Sequence, residues 1–162
     1  MLYLNKRDFY YGAILSALIG KKYKTVLIDN HSKDSRIYFL TSDLEDDFIA
    51  YLKFCMSPKK NKDDSTSWQF IFSKEEIEYL ANKLCKNENI KLILLCGKKN
   101  LRYSEIAIIE SDEIECSLFG TGQNRSRITL SRKKGFESYS LSRGGGRAND
   151  IKIPTNRIEI VN

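Results

Sequence analysis

The sequence predicts an α+β fold. Two stretches repeat apolar residues at the spacing of an amphipathic helix, whereas most other apolar residues occur in short runs rich in β-branched and aromatic types. Polar turns separate these runs, as they separate strands. The 162 residues suit one substantial core. We therefore predict a single domain over residues 1–162, with two main helices, a mixed or mainly antiparallel sheet and a β-rich C-terminal segment.

The first predicted element is a helix over residues 8–19. Phe9, Ile14 and Leu18 fall on one face at helical spacing, and Asn5 precedes them where a capping residue is needed. This apolar face indicates that the helix packs against the rest of the domain.

Short apolar runs then predict three strands, at residues 25–29, 36–41 and 48–56. The segments between them, residues 30–35 and 42–47, are polar turns. Residues 57–67 carry charge without apolar anchors, which predicts an exposed, mobile loop. An alternating aromatic run at residues 68–72 predicts a further strand with one aromatic face.

The clearest local signal is a capping box, in which Ser73 is followed by Glu76. It opens the second predicted helix, whose apolar stripe includes Leu80. A run at residues 90–96 that is apolar except for Lys91 then predicts a strand buried on both faces.

The remaining elements are shorter. Residues 105–110 are predicted to form a strand, and residues 112–119 a short helix capped by Ser111. The last four strands are predicted at residues 125–132, 136–141, 151–153 and about 158–161.

Nearly all of the net positive charge lies in residues 121–157, called the basic segment below, which holds nine basic and two acidic residues. The first 120 residues hold eighteen of each sign. Six of the nine arginines fall in the basic segment. Clustered guanidinium groups repel one another unless phosphate or carboxylate oxygens compensate them. We therefore expect nucleic acid or another polyanion as the partner, with an acidic protein as an alternative.

Two strands of the basic segment are predicted to form a hairpin with Lys133, Lys134 and Gly135 at its tip. Alternation places apolar side chains on one face and arginines and hydroxyls on the other. Phe136 and Tyr139 flank this polar face and are candidates for stacking on bases. The alternative for Tyr139 is burial, because it shares its face of the strand with Leu141.

A loop of three glycines between two arginines, residues 142–147, follows the hairpin. Glycines let backbone amides approach a ligand closely, which suits a phosphate. The predicted nucleic-acid contacts are therefore Arg125, Arg127, Arg132, Lys133, Lys134, Arg143, Gly144, Gly145, Gly146 and Arg147.

Several other classes of site lack their residues. His31 is the only histidine and falls in a predicted turn, which argues against Ser-His-Asp or Cys-His chemistry. The four cysteines lack Cys-x-x-Cys spacing and lie in apolar stretches, which predicts no zinc site and buried thiols in a reducing compartment. The apolar stretch at residues 9–20 is too short to span a bilayer. We predict a cytoplasmic protein without a membrane partner or cofactor.

The element order over residues 8–96 resembles that of the PD-(D/E)xK nuclease-like proteins. The resemblance implies carboxylates on neighbouring strands that hold a divalent metal, with Lys53 as the lysine of the D/E-x-K motif. Tyr51 stands at the acidic position, and a phenol does not replace a carboxylate ligand to magnesium. The catalytic signature is therefore lacking. Asp29 and Asp47 are the remaining candidates for catalytic carboxylates, and Mg²⁺ would be a cofactor only under this alternative.

The motifs Phe9-Tyr-Tyr-Gly-Ala13, Tyr51-x-Lys53 and Trp68-x-Phe-x-Phe72 also resemble those of a group of small, uncharacterised bacterial proteins. This resemblance implies no activity. The leading hypothesis is an intracellular, non-catalytic nucleic-acid-binding protein. The alternatives are a divergent metal-dependent nuclease and a protein-interaction or inhibitory subunit.

Overall fold

The computed structural model describes residues 1, 3–32, 35–43, 45–120, 125–144 and 146–158, and for residues 29–32 the backbone alone. Within these ranges the chain forms three α-helices and ten β-strands. The helices are α1 (Lys6–Gly20), α2 (Lys74–Cys85) and α3 (Ser111–Ile114), and α3 continues into one π-helical turn, Glu115–Phe119. The strands are β1 (Lys24–Ser32), β2 (Ser35–Thr41), β3 (Phe48–Cys55), β4 (Lys59–Lys60), β5 (Ser65–Ile71), β6 (Ile90–Cys96), β7 (Glu105–Ile109), β8 (Arg127–Lys133), β9 (Ser138–Leu141) and β10 (Ile151–Pro154). The predicted α+β class is confirmed.

The strands form two five-stranded sheets. Sheet 1 has the order β1-β2-β3-β6-β7 and is antiparallel except for the parallel pair β3 and β6. Sheet 2 has the order β10-β9-β8-β5-β4 and is antiparallel throughout. The sequence predicts one sheet. Two sheets form because β5 pairs with β8. This pairing sets Trp68 opposite Leu130 and Phe70 opposite Ile128, so that the four side chains share one apolar face.

The molecule has three layers. Helix α1 covers one face of sheet 1, where Tyr11, Ile14 and Leu18 are buried. The other face of sheet 1 packs against the inner face of sheet 2 and against α2. This second core includes Tyr51, Trp68, Leu80, Leu92, Leu94, Ile128, Leu130 and Tyr139. Each such side chain contributes roughly 1.5–3 kcal/mol by its burial. The outer face of sheet 2 is exposed, as Ile71 shows with 69% of its surface accessible.

Both main helices begin as their sequences predict. The Asn5 side chain accepts hydrogen bonds from the backbone of the first turn of α1, and the Asp8 carboxylate accepts one from Asn5 N at 2.8 Å. The capping box of α2 is also confirmed, because Ser73 Oγ accepts from Glu76 N at 3.2 Å and Glu76 Oε2 accepts from Ser73 N at 2.9 Å.

The prediction of a loop over residues 57–67 is wrong, because this segment contains β4 and the start of β5. Polar side chains close the hairpin between them. Asn61 Nδ2 donates to Ser65 Oγ at 2.9 Å, and Ser65 Oγ donates to Asp63 Oδ1 at 2.6 Å. Local polar contacts therefore close the hairpin. The sequence prediction missed it because it relied on apolar residues, which this segment lacks.

Four smaller predictions also need correction. Ser111 does not cap α3, since its hydroxyl donates to Ile90 O at 2.7 Å and so joins the helix to β6. His31 lies in β1 and not in a turn. Phe9 is 63% exposed, and Cys85 is exposed instead of buried. Helix α1 buries Ile14 and Leu18 as predicted, with Tyr11 in place of Phe9.

The strand predicted at about residues 158–161 lies largely outside the described residues. No helix in the described ranges has the length and apolar character needed to cross a membrane.

Candidate nucleic-acid interface

Three arginines of the basic segment are neutralised by carboxylates from the first 120 residues. The pairs are Arg132 with Glu105, Arg147 with Asp63 at 2.7 Å, and Arg157 with both carboxylate oxygens of Glu113 at 2.6 and 2.7 Å. The hydrogen bonds that Arg157 donates to Glu113 raise the pKa of Arg157. The carboxylate compensation that clustered arginines require is therefore supplied in part within the chain.

Arg125 and the glycine loop form an internal contact. Arg125 Nη1 donates to Ser142 O at 3.0 Å and to Ser117 O at 3.3 Å, and its side chain is half-buried. A Cβ on Gly144, whose φ is +83°, would lie 3.7 Å from the same guanidinium. Arg125, one of the predicted nucleic-acid contacts, is therefore not fully exposed, and its guanidinium holds the loop to the domain. Gly146 also has a positive φ, +103°, and Gly145 lies outside the described residues.

Five basic side chains of the segment are exposed and form no ion pair with any residue that the structure describes. They are Arg127, Lys133, Lys134, Arg143 and Lys152. Alternation along β8 places Arg127 and Lys133 on the outer face of sheet 2, away from buried Ile128 and Leu130.

A row of polar residues crosses the outer face of sheet 2 through all five strands. Successive register pairs join Lys152 to Ser140, Ser140 to Ser131, Ser131 to Ser67, and Ser67 to Lys59. Register partners in antiparallel strands point to the same face, so two edge lysines flank three serine hydroxyls. Four strand spacings of about 4.8 Å separate the two lysine backbones by roughly 19 Å.

A shallow concavity of about 220 Å³ lies beside this row. Its basic lining residues are Lys133, Arg147 and Lys152, and serines from β8 and β9 lie between them. Two acidic residues, Asp63 and Asp150, also line it. The pKa of Asp63 is lowered by hydrogen bonds from Ser65 and Arg147, whereas burial raises the pKa of Asp150. The concavity therefore offers several hydrogen-bond donors to an anion.

The two predicted stacking residues differ in position. Phe136 is 54% exposed at the hairpin tip, with Lys133 Nζ 5.9 Å from its ring centre. Tyr139 is buried and packs edge-on against Trp68 at 6.4 Å between ring centres. Tyr139 is therefore a core residue, and Phe136 alone is accessible to a base.

Lys59 and Lys152 are absent from the contacts predicted by sequence. Lys59 falls in the predicted mobile loop, although the alternation of Thr66, Trp68 and Phe70 extends far enough upstream to suggest a hairpin. Only the pairing of β4 with β5 and of β9 with β10 brings both lysines into one row.

The two described candidates for nuclease chemistry, Lys53 and Asp47, lie far apart. Lys53 lies near the end of β3 with its side chain 4% exposed, and its partner is Glu76. Asp47 precedes β3 and lines a separate concavity with Asp43 and Lys24. Six strand residues place Asp47 about 20 Å from Lys53, and the side chain of Asp29 lies outside the described part. Among the described residues, no three His, Cys, Asp or Glu side chains are grouped so as to hold a metal ion.

Comparison of the chain with protein-family models, with curated proteins and with solved structures finds no match. The resemblances noted in the sequence therefore stay predictions, and the function is inferred from the geometry of the chain itself.

Proposed function

We propose that this chain is an intracellular protein that binds nucleic acid through the outer face of sheet 2 and the tip of the β8–β9 hairpin. The observation that carries the proposal is the row from Lys152 through three serines to Lys59, on the outer face of sheet 2. Exposed cations that form no ion pair within the described part of the chain lie on this face and at the hairpin tip, including Arg127 and Lys133.

The chemistry of this face favours contact with the phosphate backbone. Lysine ammonium groups and serine hydroxyls donate hydrogen bonds to phosphate oxygens, and such contacts position a nucleic acid without reading its sequence. Phe136 is the one aromatic ring of the predicted pair that is exposed. We therefore expect binding that depends strongly on salt and weakly on base sequence.

Fluorescence anisotropy with labelled single- and double-stranded DNA and RNA, measured across a salt titration, tests the proposal. Replacing Lys59 and Lys152 together with alanine should weaken binding and flatten the dependence of log K on log salt, by roughly 0.7–0.9 for each phosphate that the variant no longer neutralises. The matched control is the double alanine variant of Lys74 and Lys86, which removes two exposed lysines of the α2 region.

Equal effects of the two double variants would contradict the proposed surface, because the weaker binding would then reflect net charge alone. The same titration with Mg²⁺ separates the alternatives. Metal-dependent cleavage would favour a divergent nuclease, and failure to bind any nucleic acid would favour an acidic protein as the partner.

A further inference from the structure

A second basic site lies at the open end of the space between the two sheets. The inner-face register row Lys60, Thr66 and Arg132 of sheet 2 lies beyond the last core side chain, Trp68. Lys98 and Glu105 approach it from sheet 1. Together these elements enclose a cavity of about 360 Å³, called the mouth below.

The mouth is strongly cationic. Five cationic and two acidic side chains line it, a net charge of +3. The five are Lys60, Lys98, Arg132, Lys133 and Lys134, and the two acids are Asp64 and Glu105. Like charges gathered in a partly enclosed space attract an anion, because low-dielectric walls weaken solvent screening.

The geometry of the mouth is held by contacts on both sheets. Arg132 Nε donates to Phe136 O at 2.9 Å, and Lys98 N donates to Ser104 Oγ at 3.0 Å. Glu105 pairs with Arg132 and lies 3.6 Å from Lys98 Nζ, so one carboxylate serves two cations. Burial, with a further contribution from Arg132, lowers the pKa of Lys98. Positive charge in the mouth is thus incompletely compensated.

We propose that the mouth binds the phosphate group of a phosphomonoester, either a free nucleotide or the phosphorylated end of a nucleic-acid strand. Lys98 and Arg132 share the single carboxylate of Glu105, and a phosphate dianion would supply the negative charge that this carboxylate does not. Lys60 and Lys134 line the same cavity. A volume of about 360 Å³ is within the range of small-ligand sites. The two sites share Lys133 and Lys134, but the inference does not depend on the proposed function, since Lys60, Lys98 and Arg132 belong to the mouth and not to the outer face of sheet 2.

Trp68 makes the proposal directly measurable. It is the only tryptophan in the chain, it lines the mouth, and Lys98 Nζ lies 6.0 Å from its ring centre. Its fluorescence therefore reports a change beside Lys98 specifically.

The experiment titrates the full chain with inorganic phosphate and with AMP at constant ionic strength, with chloride as the reference anion. We expect saturable changes in tryptophan fluorescence for both phosphates and none for chloride. Broadening of the ³¹P NMR line of inorganic phosphate provides a second measurement. Absence of saturable binding in both measurements would overturn the proposal.

Two variants at the mouth should act in opposite directions. Lys98→Ala should weaken phosphate binding about tenfold or more, because it removes a charge-assisted hydrogen bond. Glu105→Gln should strengthen it, because it removes the carboxylate that competes for the two cations. A purely structural role would make both variants weaker binders, and that result would also overturn the proposal. Should either variant melt early, Lys134→Ala at the exposed rim replaces it, with weaker binding expected.

Lys74→Ala is the matched control, since it removes an exposed lysine of α2 that does not line the mouth, and it should leave phosphate binding unchanged. Oligonucleotides with and without a 5′-phosphate distinguish the two sources of the phosphomonoester. Tighter binding of the phosphorylated strand indicates a strand end, and equal binding of both strands with saturable AMP binding indicates a free nucleotide.

Discussion

Lys53 and Glu76 form an ion pair inside the protein core. Lys53 Nζ lies 3.0 and 2.9 Å from the two carboxylate oxygens of Glu76, and the side chains are 4% and 2% exposed. The same ammonium lies 4.7 Å from the ring centre of Phe72. Glu76 belongs to the capping box of α2, so the pair ties the start of that helix to β3. Lys53, the lysine of the D/E-x-K comparison, thus has an internal carboxylate as its partner.

Replacing Lys53 with methionine should lower the free energy of unfolding by about 3–5 kcal/mol, because it leaves the Glu76 carboxylate buried without a cation. The double variant Lys53→Met, Glu76→Gln should recover much of this stability, because no charge remains and glutamine keeps the capping box. Urea unfolding followed by circular dichroism measures both. A double variant no more stable than the single one would contradict this account.

Gly97 should not tolerate alanine. A Cβ there would lie 2.8 Å from the backbone oxygen of Cys55, which cannot move aside, and would also contact Met56. We expect Gly97→Ala to reduce the free energy of unfolding by about 1–3 kcal/mol. Gly12→Ala is the control, since nothing lies within 4 Å of its Cβ, and it should stabilise α1 by roughly 0.5–1 kcal/mol. Similar thermal shifts for the two variants would refute this reasoning.

Variants of Arg125 and of the two loop arginines should distinguish a structural role from a role in nucleic-acid binding. Arg125→Ala should destabilise the fold by about 1.5–3 kcal/mol, because it removes charged donors to two backbone carbonyls. Replacing both Arg143 and Arg147 with alanine should change the free energy of unfolding by about 0.5 kcal/mol or less. That double variant should reduce the salt slope of nucleic-acid binding. Melting temperatures and anisotropy titrations check both statements. Strong destabilisation by the double variant would show that these arginines are structural.

The stability that Asp63 contributes should disappear in acid. Ser65 and Arg147 lower the pKa of Asp63. A carboxyl group with a lowered pKa in the folded protein stabilises it fully above the ordinary value of about 3.9, and this contribution is lost as the pH falls towards the lowered pKa. The difference in melting temperature between the unmodified protein and Asp63→Asn should therefore shrink below about pH 4. A difference independent of pH would contradict the assignment.

The elements that the sequence predicts well are encoded within a few neighbouring residues. The cap at Asn5, the capping box at Ser73 and the alternation of Ile128 and Leu130 require no distant partner. The predictions fail where a distant partner decides the outcome. Ser111 bonds to Ile90 instead of capping its helix, and Lys59 acquires its place in a strand by pairing with Ser67.

By itself, the sequence determined the α+β class, the two main helices and the concentration of positive charge in residues 121–157, because these follow from local periodicity, capping and composition. The tertiary structure decided which of those charges are available. It paired Arg132, Arg147 and Arg157 with carboxylates distant in sequence, and it aligned Lys152 with Lys59 across five strands. The physical reason is that electrostatic compensation and strand register depend on distances in space, which spacing along the chain does not encode.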